Sequence, residues 1–535
     1  MAEKVEREWV VTEFAGVDLG DERLNRRLIV LAGDLGGQPT APINEASRDW
    51  KAMKAAYKFF ANEQVEAEAI LAPHQERTLE RLRGHAVVVA IQDTTFLNYN
   101  HHPATTELGP IGGKQRGLVM PSTLAATPQG LPLGLLTQQM WARREAGEAE
   151  GQGSVSRPRP KESAKWLAAL EESFTLVPAE IRLVTIADRE ADLCELLVTA
   201  DDVGAEYVIR AVQDRRGPGE ADRLWACVAR QPVAGQVTVE LTATPTQPAR
   251  TATGEVQVAK LTLQAPGRPT ADEAVWWEPR TVWAIWRHER APPPDSTPVE
   301  WRLLTTIPIA TWQETVDRIT WDWVGPSIAG FHRVLKSGGT VEACRLESAD
   351  RLPRYLTLMT VIAWRLFWLM PIHRQTPDAP CTTRLADHEW KALAATIHRT
   401  DTLPDTIPPV GQAVHWIACL GGFPGRQRDG EPGITVIWRA WSRLSDVAHL
   451  YLVLHPSKDE GNRQGRYGAP ALRCIVERSR ESTCDGLGGR RDWRSLAWVP
   501  VALGAPSREG LDCDLMVGVC DGVLKIYHGP RPNCC

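Results

Sequence analysis

The chain has 535 residues, 43% of them apolar and 24% charged, a balance that excludes a wholly disordered polypeptide and accommodates three or four packed domains. Its net charge of -5 argues against a uniformly basic nucleic-acid binder but leaves local basic patches open.

The start, MAEKVEREWVVTEF, is charged throughout and carries no signal-peptide pattern. In DLGDERLNRRLIVLAGDLG, Leu24, Leu28, Leu31 and Leu35 recur on one helical face, with Asp21 as its N-cap. Two more helices are expected through WKAMKAAYKFFAN and VEAEAILAPHQERTLERLR. The pattern then changes. Ala86 to Ile91 is a short valine-rich run that reads as a strand buried on both faces, with Asp93 just past its end. Arg144 to Glu162 is polar and rich in Gly and Pro, a loop. A second buried strand, Ile181 to Ala187, ends in Asp188 and leads into the helical READLCELLVTA.

Residues 205–310 alternate apolar with polar, as in GQVTVELTAT and GEVQVAKLTLQ, which suits antiparallel strands. Helical pattern returns from Thr311. Tyr355 to Ile372 is apolar enough to hint at a membrane span, but Arg365 near its centre would cost roughly 2.5 to 3.5 kcal/mol in lipid, so a buried core helix and no membrane are expected. Helices broken by LGGFPGRQRDGEPG occupy 404–460, and after about Asn462 the chain turns Gly-, Arg- and Cys-rich. Five cysteines are scattered without a C-x-x-C pair and six crowd the end at spacings that fit no zinc site, which points to a reducing, cytoplasmic setting.

Asp93 and Asp188 carry the chemistry. Carboxylates at the tips of buried strands need an electrostatic partner, and two of them together repel unless a divalent cation lies between. Oxygen ligands favour Mg2+ or Mn2+, and a pair of such ions can hold the attacking and leaving oxygens of a phosphodiester. Simpler roles stand beside this one: Asp93 as a turn cap with Thr94 and Thr95, and Asp188 as a helix N-cap.

QDTTFLNY with DREADL resembles the insertion-sequence transposases of the Tn-five-like group. Further segments agree in chain order: LGDERLNRRL, INEASRDWKAMKAAYKFFANEQVEAEAI, LGLLTQQMWAR, KESAKWL, EYVIR, PVEWRLLT, FHRVLKSG, VEACRLES and LGGF, covering about residues 8–460. The resemblance implies a mixed α/β chain: a helical DNA-binding domain over 1–80, and a ribonuclease-H-like catalytic core over 81–372 that ends with a helix at 328–372. The core carries an inserted antiparallel β subdomain at about 205–310. A helical dimerisation domain over 373–461 follows, and the tail 462–535 has no counterpart. It implies that Asp93 and Asp188 are the first two catalytic, metal-binding aspartates, and that Arg23, Arg27, Arg210, Trp301 and Lys336 contact DNA, Trp301 by stacking on a base drawn from the duplex. Trp301 as a core aromatic, and Arg23 and Arg27 on a solvated face, are the plainer readings of the same residues.

The pattern breaks at the third acid. Aligned on FHRVLKSG, Ala329 stands where the family carries its catalytic Glu, and Asp322, Gly325 and Pro326 replace its Tyr, Arg and Trp. Gly and Pro disfavour a continuous helix by about 1 and 3 kcal/mol, so a helix is expected to restart at Pro326, and Asp322 shares a face with residue 329 only if the helix persists. The resemblance implies a Mg2+-dependent (or Mn2+-dependent) transposase that binds double-stranded DNA, both element ends and target, as a homodimer in a synaptic complex, with its catalysis impaired. The alternatives are a non-catalytic end-binding protein or inhibitor of the same ancestry, and an unrelated metal-dependent phosphohydrolase.

Overall fold

A computed structural model describes residues 8–455, apart from 48, 145–162, 218, 220–222, 242–247, 265–277, 295, 401 and 427–431, and beyond them only 514–520 and 523–529. The Gly- and Pro-rich segment expected as a loop within 144–162, and most of the cysteine-rich tail, lie outside the described residues.

Five helices open the chain: α1 (Glu8–Glu13), α2 (Glu22–Gly37), α3 (Ile43–Ala46), α4 (Trp50–Phe60) and α5 (Ala67–Leu82). Asp21 caps α2 by accepting the Arg23 N–H, as its position predicts, and Leu28, Leu31 and Leu35 are buried. The core strands follow: β1 (Val87–Asn98), β2 (Gly109–Gly112), β3 (Gln115–Ala126) and β4 (Pro132–Gln138), then α6 (Ala164–Leu176), β5 (Arg182–Ala187), α7 (Cys194–Val203) and β6 (Glu206–Arg210). Next come α8 (Leu224–Ala229), β7 (Val233–Leu241), β8 (Arg250–Leu263), β9 (Arg280–His288) and β10 (Glu300–Thr305). The remaining helices are α9 (Trp312–Val324), α10 (Ser327–Arg333), α11 (Leu352–Gln375), α12 (Asp387–His398), α13 (Val410–Leu420) and α14 (Ile434–Leu454), and β11 (Asp514–Cys520) pairs with β12 (Val523–Gly529).

One mixed sheet organises the molecule in the order β2-β3-β1-β5-β6-β10-β9-β8-β7, with β4 also on β3. β1, β5 and β6 run parallel, and β3 and β10 flank them antiparallel. The 205–310 segment is stranded as its alternation predicts. Its strands β7 to β10 do not form a separate sheet, because β10 pairs with β6 and carries them on as an extension of the central one.

β1 shows why its sequence is apolar without a break. Val88 and Ala90 pack on one face with Leu82 and Val177. Val89 and Ile91 pack on the other, in the core that also contains Ile328 and Phe331 of α10. The strand runs further than its apolar stretch, because β3 pairs with it as far as Asn98, so Asp93 lies within β1 rather than past its end. α11 is a core helix as expected: Arg365 lies 3.6 Å from Glu389 and beneath the rings of Trp9 and Trp441. No described helix is long and apolar enough to cross a membrane.

Candidate active site

Strand parity assembles the site. Side chains two apart on a strand share a face. Asp93 follows Val89 and Ile91, Asp188 follows Val184 and Ile186, and Arg210 follows Val208; those five apolar residues belong to one core. Parallel pairing ends with Gln92 opposite Ala187, so the next residue of each chain segment, Asp93 and Asp188, emerges side by side. The two aspartates line one cavity of about 190 Å³ together with Arg210, Asp322, Gly325, Pro326 and Ala329.

Burial dominates the electrostatics of Asp188. Burial pushes the Asp188 carboxyl above the usual aspartate range; the negative charges of Glu190 and Asp93 add to this, while the Glu190 N–H and Lys165 oppose it. The plainer roles are also realised: Asp93 accepts the Thr94 N–H at 2.8 Å, and Asp188 accepts the Glu190 N–H at 2.8 Å and caps a short 3-10 turn.

The roof is α9 and α10. The helix breaks where its composition predicts, with α9 ending at Val324 and α10 opening after Pro326, yet Gly325 and Pro326 both keep right-handed helical backbone. Asp322 therefore reaches the same cavity as Ala329 across the break. Gly325 sits over the end of β5: a Cβ built on it would lie 3.4 Å from Ile186, an ordinary contact. Asp322 is not a free oxygen donor. Arg210 donates from Nε and Nη2 to both of its carboxylate oxygens at 2.9 to 3.1 Å. Burial raises the Asp322 carboxyl, against the pull of Arg210.

The other expected site residues lie elsewhere or are engaged. Lys336 donates to the Phe96 carbonyl at 2.8 Å and lies 3.2 Å from Glu342. Trp301 is 9% exposed, with the buried Arg287 guanidinium over its ring, so it is a core aromatic; the ring beside it, Trp323, is 47% exposed. Arg23 is clamped to Asp21, whereas Arg27 is half-buried on α2 with no ion pair among the described residues. Both arginines are remote in sequence from the cavity and neither lines it. One neighbour went unassigned in the sequence reading: His332, one helical turn after Ala329, places Nδ1 3.4 Å from Asp93 and leaves Nε2 buried without a hydrogen-bond partner among the described residues. The signal was its i+3 spacing from the third-acid position.

The donor set does not fit the two-ion centre that the resemblance implies. Two carboxylates are present, a third is tied to an arginine, and residue 329 has no oxygen. Among the described residues no group of three or more His, Cys, Asp and Glu side chains is arranged to hold a metal ion.

Two protein-family models match the chain. A family model described as transposase DNA-binding matches residues 6–65, and one described as the transposase Tn5 dimerisation domain matches residues 361–450. Among solved structures, the chain is similar to a piggyBac transposase in a synaptic complex with hairpin DNA, at 7% identity and a TM-score of 0.31, too slight a likeness to carry an argument. The alignment covers 80% of this chain and 63% of that one, so the chain spans less than two thirds of that protein's length. The two family matches, in this order along the chain, support a Tn5-like transposase.

Proposed function

We propose that the chain is a DNA transposase of Tn5-like ancestry that binds element ends as a dimer and is impaired in cutting them. DNA binding is assigned to the segment 6–65 and dimer contact to 361–450, from what the matching family models describe. A ribonuclease-H-like core is supported by the strand order β4-β3-β1-β5-β6, in which an antiparallel meander leads into parallel strands, with Asp93 and Asp188 side by side where the β1–β5 pairing ends.

The observation that carries the impairment is Ala329, which lines the cavity at the position of the third acid while the nearest substitute, Asp322, is held by Arg210. The residues present do not fit a two-ion centre, and no step is routed through one. What remains is a site that bears two carboxylates and one compensated ion pair. The same observation favours a second reading, a non-catalytic end-binding protein that pairs with active copies and inhibits them.

The test uses duplexes carrying the DNA that flanks the gene on either side. The full chain is expected to shift these duplexes in a gel and to leave them uncut in Mg2+ or Mn2+, whereas Ala329→Glu regains nicking. Cutting by the unaltered chain at the rate of the Glu variant would refute the impairment. Failure to shift any flanking duplex would refute the DNA reading itself.

A further inference from the structure

The resemblance directs attention to the arginines of α2, but charge and exposure single out the next long helix. α4, WKAMKAAYKFF, contains no acidic residue. Its inner face is Ala56, Phe59 and Phe60, with Phe60 edge-on to Tyr355 at 5.6 Å. At 100° per residue, Trp50, Lys51, Lys54, Tyr57 and Lys58 fall within one arc of about 120°. The three lysines on that arc are exposed, and Trp50 at its head is 73% exposed, a large aromatic with no apolar cover.

Counter-charges separate the two helices. On α2 the two exposed arginines are matched, Arg23 with Asp21 and Arg26 with Glu22, and Arg27, unpaired among the described residues, is half-buried. Lys51, Lys54 and Lys58 form no ion pair among the described residues. The one acid at the head of α4, Asp49, spends its carboxylate on the Ala52 N–H as the helix N-cap.

We propose that this outer face of α4 is the surface that lies along the phosphate backbone of duplex DNA. This rests on the DNA-binding reading above and adds where the duplex sits. Lys51 to Lys58 span about 10 Å of helix, alongside which a duplex presents about six phosphate charges. The lysines contact phosphates without reading sequence, and Trp50 packs its ring on the sugar or base edge at one end of the row.

The experiment measures the affinity of the full chain for a flanking duplex across a salt series. Each phosphate contact contributes about 0.9 to the slope of log affinity against log salt. A variant with Lys51, Lys54 and Lys58 all changed to Gln is expected to lower that slope by about 2 to 3, and Trp50→Ala to weaken binding about tenfold with the slope unchanged. Arg26→Gln, whose cation is already paired, should leave the slope within about half a unit. All five positions are exposed, and an unchanged melting temperature confirms that the variants fold. If the unaltered chain binds and the triple variant keeps its slope, the α4 surface is refuted while the DNA-binding reading stands. If the unaltered chain binds no duplex, that reading falls and takes this surface with it.

Discussion

Burial drives the Asp322 carboxyl above the usual aspartate range, and the clamp from Arg210 on both of its oxygens opposes that shift. The pair is a buried ion pair in which removing one member costs more than making the pair gained, because the survivor is left charged without a partner. Arg210→Met is therefore expected to destabilise the chain by about 3 to 5 kcal/mol near neutral pH. The pH dependence has a definite sign. Asp322 in that variant has a folded pKa raised further above its unfolded value, so its own contribution to stability is kept below the unfolded value, 3.8, and lost as pH rises through the folded one. Urea unfolding at acid and neutral pH measures this, and the double variant Arg210→Met with Asp322→Asn should recover most of the loss. A deficit of the single variant, relative to the unaltered chain, that is the same at both pH values would show that Asp322 takes no penalty from its burial.

α2 packs closely against α14 on one side and α1 on the other. Trp441 is 3% exposed and donates from its indole N–H to the Gly36 carbonyl at 3.1 Å. A Cβ on Gly36 would lie 2.6 Å from the ring of Trp9, so only glycine lets α1 and α2 approach this closely. Gln38 and Asp446 add a hydrogen bond at 2.7 Å across the same seam. Trp441→Ala removes the ring that also covers Arg365, and is expected to cost about 3 to 5 kcal/mol. Chemical denaturation gives the magnitude. Limited proteolysis should show cleavage first in α1 and α2, and a cut pattern identical to that of the unaltered chain would mean that the seam does not hold these helices.

Across the whole molecule, one buried cluster ties the N-terminal segment to the core. Burial would raise the Glu13 carboxyl on α1, but His74 and Arg81 of α5 outweigh it and hold it at about 2. His74 also accepts the Leu135 N–H, and Arg81 donates to the Leu133 carbonyl at 2.5 Å, so the cluster reaches into the sheet at β4. A carboxyl lowered from 4.5 to about 2 supplies about 3 kcal/mol, fully present above 4.5 and lost as pH falls toward 2. Acid unfolding followed by circular dichroism should therefore show Glu13→Gln to be less stable than the unaltered chain at neutral pH, with the two curves converging near pH 2. A constant difference across that range would assign the cost to packing rather than to charge.

Local chemistry alone determined much of this architecture. An unbroken valine-rich run calls for a strand covered on both faces, Asp21 calls for a helix start, and Gly325 followed by Pro326 calls for a helix break; each signal spans only a few residues, so each is legible in sequence. The adjacency of Asp93 and Asp188 was legible through motif order, and so was the place of Ala329 in the cavity they line. Tertiary structure alone decided the rest. Arg210 and Asp322 lie 112 positions apart and meet only because β6 runs parallel beside β5 and α9 folds back over both. Trp301 reads equally well as a stacking platform or a core aromatic until the Arg287 guanidinium is placed over its ring. Strands β7 to β10 carry the alternation of any antiparallel sheet, and only the pairing of β10 with β6 joins them to the central one. Periodicity reports which face of an element is buried, whereas the partner of a charge is set by sheet order and by the return path of the chain.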